Sequence, residues 1–187
     1  PAVDRVERTT VGATGLPDPL AGMASAESGG RLNARDSDMM KLAVGPRAAP
    51  YVHIDAPVRE NLEAVANALE KPMNDICVVI LDRPRHAQLI REVREAGARI
   101  KLISDGDVDA CIATTIESTG LHVSMGTGGS REGVVAAAPI KCLGRHSMGR
   151  LGPRSPRRPP HALHLGSRHT DCIPAPAAPP RERLAEC

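Results

Sequence analysis

This chain contains no phenylalanine and no tryptophan, and Tyr51 is its only aromatic residue. A core must therefore be assembled from Leu, Ile, Val, Met and Ala, without the side chains that bury the largest areas. The same absence argues against recognition of single-stranded nucleic acid by base stacking. A formal net charge of only +2 argues against a nucleic-acid binder driven by charge. No apolar run approaches the roughly 20 residues that a helix needs to span a bilayer. No basic and then apolar leader opens the chain. The five cysteines are odd in number and form no Cys-x-x-Cys pair. Cys77, Cys111 and Cys142 sit in apolar runs, which reads as buried, reduced thiols in a cytosolic protein.

What is present is a repeating pattern between Ile76 and Leu143: an apolar run, a short polar loop, then an amphipathic helix. At 187 residues the chain is one domain, or one domain with a tail. Ile76–Leu81 reads as a strand buried on both faces. His86–Ala96 reads as a helix stopped by Gly97. Arg99–Ile103 is the next strand and Val108–Ile116 the next helix. Leu121–Met125 is a third strand, and a helix over Glu132–Leu143 follows a glycine-rich loop. Upstream, residues 55–71 carry Val58, Leu62, Val65, Ala66 and Leu69 at helical spacing, with Asp55 as an N-cap, Pro57 in the first turn and Pro72 as the stop. Leu20–Ala26 is expected as a short helix. Lys41–Val44 is expected as a short strand ended by Gly45-Pro46. The alternation predicts an α/β fold with right-handed βαβ connections. After Gly144 the character changes: about half of the 17 prolines lie in 145–187, among Arg and His. That segment is expected to be a disordered tail.

The polar loops carry the chemistry. If the apolar runs are neighbours in one sheet, their loops share the edge where α/β proteins bind ligands. Arg83 and Arg85 flank Pro84 directly after a strand. Two guanidiniums on a stiff turn make a phosphate clamp, or simply pair at the surface with Asp82. Asp105-Gly106-Asp107 follows the next strand. These carboxylates can accept sugar hydroxyls or hold a metal, or form an ordinary capped turn. The Gly126–Gly133 loop leads into a helix start, where backbone amides favour an anion. It matches neither the Walker loop nor a convincing dinucleotide fingerprint. Near the N-terminus Asp4 and Glu7 lie three apart, followed by Thr9 and Thr10. Such a group can share a hard divalent cation and orient a water, or be a solvated surface. His161, His164, His169 and Cys172 have zinc-ligand chemistry, but biased composition accounts for them more simply.

In order and spacing these runs closely resemble the class II fructose-1,6-bisphosphatase family. The resemblance is carried by Ala2-Val3-Asp4 with Glu7 and Thr9-Thr10, by Lys41-Leu42-Ala43-Val44-Gly45-Pro46, and by Ile54-Asp55-Ala56-Pro57-Val58 before Glu60-Asn61-Leu62. It continues through Leu81-Asp82-Arg83-Pro84-Arg85-His86, the run from Ala98 to Val108, and Gly126–Gly133 leading to Lys141-Cys142-Leu143-Gly144. It covers residues 1–144. It implies the layered sugar-phosphatase fold shared with inositol phosphatases, mostly its C-terminal half. It further implies metal-dependent hydrolysis of the 1-phosphate of fructose 1,6-bisphosphate, or of sedoheptulose 1,7-bisphosphate, in a cytoplasmic enzyme. By match to the family motifs, Asp4, Glu7 and Glu132 are implied ligands of Mn²⁺ or Mg²⁺. Thr9 is implied to position the attacking water. Arg83 and Arg85 are implied to hold the uncleaved phosphate, and Asp105 and Asp107 the sugar hydroxyls. The implied partner is a small sugar bisphosphate, with no nucleic acid and no membrane, and with self-association as a family habit.

The chain departs from the family pattern at several positions. Arg5 and Arg8 stand where the family has Pro and Gly, Asp38 where it has a tyrosine, and Arg131 where it has a proline. Arg8 sets a positive charge beside the implied metal ligands, which opposes cation binding. The chain opens at Pro1 with motifs close to that end, so an N-terminally truncated chain is expected, with a shifted reading frame after Gly144. Two rival functions follow from those departures: a sugar-phosphate-binding remnant without catalysis, and a fragment with no function.

Overall fold

The computed structural model describes residues 2–7, 20–24, 38–143, 145 and 147–151, and for the first two segments only the backbone. Two strands, β1 (Ala2–Glu7) and β2 (Leu20–Ala24), form an antiparallel pair. The helix expected over Leu20–Ala26 is therefore a strand through residue 24. Gly22 weakens a helix of this length, and pairing with β1 decides the outcome.

The remaining strands form one five-stranded sheet in the order β5-β4-β6-β3-β7. They are β3 (Asp38–Val44), β4 (Cys77–Leu81), β5 (Arg99–Ile103), β6 (Val123–Gly129) and β7 (Ser147–Leu151). β4 is parallel to both β5 and β6, as the βαβ pattern requires. β3 runs antiparallel to β6 and to β7, so the sheet is mixed. Among the described residues four α-helices cover it: α1 (Val58–Leu69), α2 (Ala87–Ala96), α3 (Asp107–Thr114) and α4 (Ser130–Cys142).

Side-chain alternation sorts the core into two layers. Leu42, Val44, Val78, Ile80, Val123 and Met125 face α1 and α2, where they meet Leu62, Val65 and Val93. Ala43 faces the other way, against Val108, Cys111, Val135, Ala136 and Ile140 of α3 and α4. The second layer is thin and aliphatic, as the missing aromatics require.

α1 ends at Glu70, which adopts the left-handed conformation and donates its N–H back to the last turn, so the helix closes before Pro72. Its N-cap is Pro57, with no side-chain cap, rather than Asp55. Asn61 is buried although polar. Its side chain accepts from His53 N–H and donates to the carbonyls of His53 and Ala56, which fixes the loop ahead of the helix. Gly97 stops α2 at φ +90°, as expected from its position.

Two boundaries differ from expectation. The glycine-rich segment is strand as far as Gly129, because β3 supplies partners from Val44↔Val123 through Asp38↔Gly129. The expected boundary after residue 144 leaves out β7, which pairs with β3 and buries Met148. Ser-Met-Gly-Arg-Leu is short, yet Arg150 also pairs with Asp55. Residues 152–187, with the zinc-type residues, lie outside the described residues. Cys111 is buried, Cys77 half-buried and Cys142 exposed, and none of these three forms a disulfide among the described residues. No described helix is long and apolar enough to cross a membrane.

Candidate active site

β4 sits between β5 and β6, although the chain visits β4, β5 and β6 in that order. The connections leaving the carboxyl ends of β4 and β5 therefore diverge to opposite sides. This is a topological switch point, where a crevice opens at the strand ends. β4 and β6 pair only through Val78↔Val123 and Val79↔Ser124, and β6 then runs on without a β4 partner. The gap is bridged by His86. Its Nδ1–H donates to the Leu81 carbonyl at 2.7 Å, and its Nε2 accepts Thr127 N–H at 2.8 Å. A carbonyl only accepts and an amide only donates, so this geometry selects the neutral Nδ1–H tautomer. His86 is 3% exposed and covers Gly126, where a Cβ would lie 3.1 Å from the ring. Gly126 has φ +145°, which a side chain would also oppose.

The neighbouring Arg85 points back to the same residue, Thr127. Its Nε and Nη2 both donate to the Thr127 carbonyl, at 3.0 and 2.8 Å. Arg83 is half-buried and donates to the Asp82 carbonyl at 3.0 Å. The backbone polar groups of Thr127 are thus both held by the turn after β4.

A shallow open cleft lies beside this bridge. Lys41, His86, Asp107, Cys111, Thr127 and Gly128 line it. At the end of β5, Asp105 Oδ1 accepts Gly106 N–H at 3.0 Å, and Gly106 turns the chain with φ +89°. Asp107 then opens α3 and receives the Lys41 ammonium on Oδ2 at 2.5 Å. Lys41 is 7% exposed, so its charge is matched inside the fold. Of the four residues expected to bind substrate, Asp107 lines the cleft and Arg85 reaches it through Thr127. Arg83 and Asp105 stand in the same two loops, outside its lining.

Glu132 lies in the first turn of α4, with its carboxylate folded over Gly129. A Cβ on Gly129 would overlap Glu132 Oε2 and push the carboxylate aside. Asp4 and Glu7 are on β1, whose hairpin packs against α4. The β1–β2 register slips between them: Asp4 pairs with Gly22 and Glu7 with Leu20. Thr9 lies outside the described residues. Among the described residues no group of three His, Cys, Asp or Glu side chains could hold a metal ion. The side chains of Asp4 and Glu7 lie outside that set. Carboxylate oxygens on Asp4, Glu7 and Glu132 have the hard-donor chemistry that Mg²⁺ or Mn²⁺ takes.

Residues 2–173 match the model of the bacterial fructose-1,6-bisphosphatase family, glpX-encoded. The chain belongs to that family. A Synechococcus protein (strain JA-2-3B'a(2-13)), named D-fructose 1,6-bisphosphatase class 2/sedoheptulose 1,7-bisphosphatase, is 47% identical over 150 residues, covering 80% of this chain and 43% of the relative. Proteins of the same name from Gloeobacter violaceus and Synechocystis are 43% and 45% identical over the same share of this chain, and 43% and 44% of their own length. The chain spans less than half the length of these curated relatives. The family match runs beyond residue 144 and takes in β7.

Two residues of the site carry no signal in the loop motifs. Lys41 is a single cation inside the strand Met39–Val44, and that misplaced charge is the trace a reader could follow. His86 stands at the end of the arginine loop, where nothing in the sequence shows that it replaces a missing ladder bond.

Proposed function

We propose that this chain binds a phosphorylated sugar at the switch point and hydrolyses the 1-phosphate of fructose 1,6-bisphosphate with a divalent cation. The observation that carries the reading is the convergence of the loops after β4 and β5 on the glycine-rich end of β6, in a chain of this family. The guanidiniums of Arg83 and Arg85 neutralise the phosphate that is retained. The carboxylates of Asp105 and Asp107 accept hydrogen bonds from sugar hydroxyls and so orient the ring. Asp4, Glu7 and Glu132 would hold Mn²⁺ or Mg²⁺. When bound, that cation supplies charge neutralisation on the phosphoryl oxygens and a more acidic water. Thr9 would orient the attacking water toward the phosphorus atom. The enzyme is read as cytoplasmic and self-associating, without nucleic-acid or membrane partners.

Phosphate release from fructose 1,6-bisphosphate, measured with Mn²⁺ or Mg²⁺, tests this. Release that vanishes in Glu132→Ala is the expected result. No release from folded chain would overturn the hydrolytic reading. Sugar-phosphate binding without release would leave a binding protein.

A further inference from the structure

We propose that Lys41 is a positioning residue: it holds Asp107 in place as a charged acceptor for a sugar hydroxyl. The proposal rests on the sugar-phosphate reading of the cleft. Lys41 comes from the middle of β3, opposite Gly126 of β6, and its ammonium is buried with Asp107 as counter-charge. The route of the side chain is kept clear by two glycines. A Cβ on Gly128 would lie 2.4 Å from Asp107 Oδ2 and 3.1 Å from Lys41 Nζ, and one on Gly133 would lie 3.3 Å from Lys41 Cε.

The pairing uses Oδ2 alone. A carboxylate has about four lone-pair sites, so Oδ1 keeps its capacity for a ligand hydroxyl. A hydroxyl hydrogen bond to an ionised acceptor is roughly twice as strong as one to a neutral group. Asp105, by contrast, is occupied by its own turn through Gly106 N–H. Lys41 thus acts on the sugar hydroxyl through Asp107, the partner of its ammonium.

The test is calorimetric titration of the full chain with fructose 6-phosphate and, separately, inorganic phosphate, both in EDTA. The chains are wild type, Lys41→Met, Asp107→Asn and the double variant. Each single substitution is expected to weaken fructose 6-phosphate binding about tenfold, by one lost charge-assisted hydrogen bond. The double variant should be no weaker than Asp107→Asn alone, because the two residues act as one unit. Phosphate binding should be unchanged. Equal loss for both ligands in Lys41→Met would mean general loosening and would overturn the proposal. So would full affinity in Lys41→Met, or additive loss in the double variant. If Lys41→Met does not fold, the double variant, which buries no unpaired charge, is compared with Asp107→Asn. Weaker binding by the double variant then overturns the proposal, and equal binding supports it. Failure of the wild type to bind fructose 6-phosphate would instead refute the proposed function, and the role of Lys41 with it.

Discussion

His86→Phe keeps a planar ring in the gap between β4 and β6 but deletes both of its hydrogen bonds. Two backbone groups then lose their partners: the Leu81 carbonyl, at 2.7 Å from Nδ1, and Thr127 N–H, at 2.8 Å from Nε2. The His86 ring is 3% exposed, so water has little access to replace them. Leaving a buried backbone group unsatisfied costs about 1–3 kcal/mol each, giving roughly 2–6 kcal/mol for the pair. A chain of this size shifts its melting point by about 2–4 °C per kcal/mol. A fall of roughly 5–20 °C is therefore expected. Urea denaturation followed by circular dichroism gives the free energy directly, and the m-value shows whether the folded state is otherwise intact. His86→Ala should cost more, since it adds a cavity. A His86→Phe chain within about 0.5 kcal/mol of wild type would refute the bridging role, because surface changes alone fall in that range.

Four further outcomes follow from the same geometry. Arg85→Lys should weaken sugar-phosphate binding about tenfold by titration, since an ammonium cannot span Thr127 and a phosphate as a planar fork does. Glu132→Gln should lower metal-dependent phosphate release about 100-fold or more, while metal-free fructose 6-phosphate binding stays unchanged. Pro139 lies inside α4, where it removes a helical N–H donor, so Pro139→Ala should raise the melting point, by up to roughly 3 kcal/mol of stability. Burial pushes the His122 imidazole below the ordinary histidine range, helped by Lys71 and Arg99 and opposed by Asp75, and its Nδ1 accepts Cys77 N–H. The unfolded chain takes up this proton near pH 6.5 while the folded ring stays neutral, so stability is full above about pH 6.5 and falls as the pH drops toward the lowered folded value. Denaturation midpoints at several pH values should show that fall, and His122→Asn should flatten it.

Much of this architecture can be read from residue order, for reasons that differ by element. The strand at 77–81 and its parallel neighbours follow from continuous β-branched runs with helix-length spacers. α1 and α2 follow from apolar periodicity, and Gly97 marks its stop through a conformation that glycine tolerates best. The strand at 20–24 was misread because its state is set by a partner strand and not by local preference. β7 was missed because Pro- and Arg-rich surroundings mask a five-residue segment whose only reason to be extended is the open edge of β3. The arginine and aspartate loops were legible as candidates, since two guanidiniums around a proline and two carboxylates around a glycine each suit a ligand. Lys41 and His86 were not, because their roles depend on contacts 66 and 41 residues away in the chain.

The placement of β3 between β6 and β7 has a consequence for how the chain folds. Residues 38–44 are made well before both of their sheet neighbours, 123–129 and 147–151. A ribosome adding about 5–20 residues per second leaves β3 with two open edges for several seconds. Contacts this distant in sequence slow folding, because loop entropy is lost before pairing energy is gained. β3 itself is Asp-Met-Met-Lys-Leu-Ala-Val, so the chain waits with an apolar strand in which Asp38 and Lys41 are the only charges. Such charges oppose edge-to-edge pairing between chains. The Lys41 ammonium is thus present on the open strand throughout that interval, before it meets the Asp107 carboxylate.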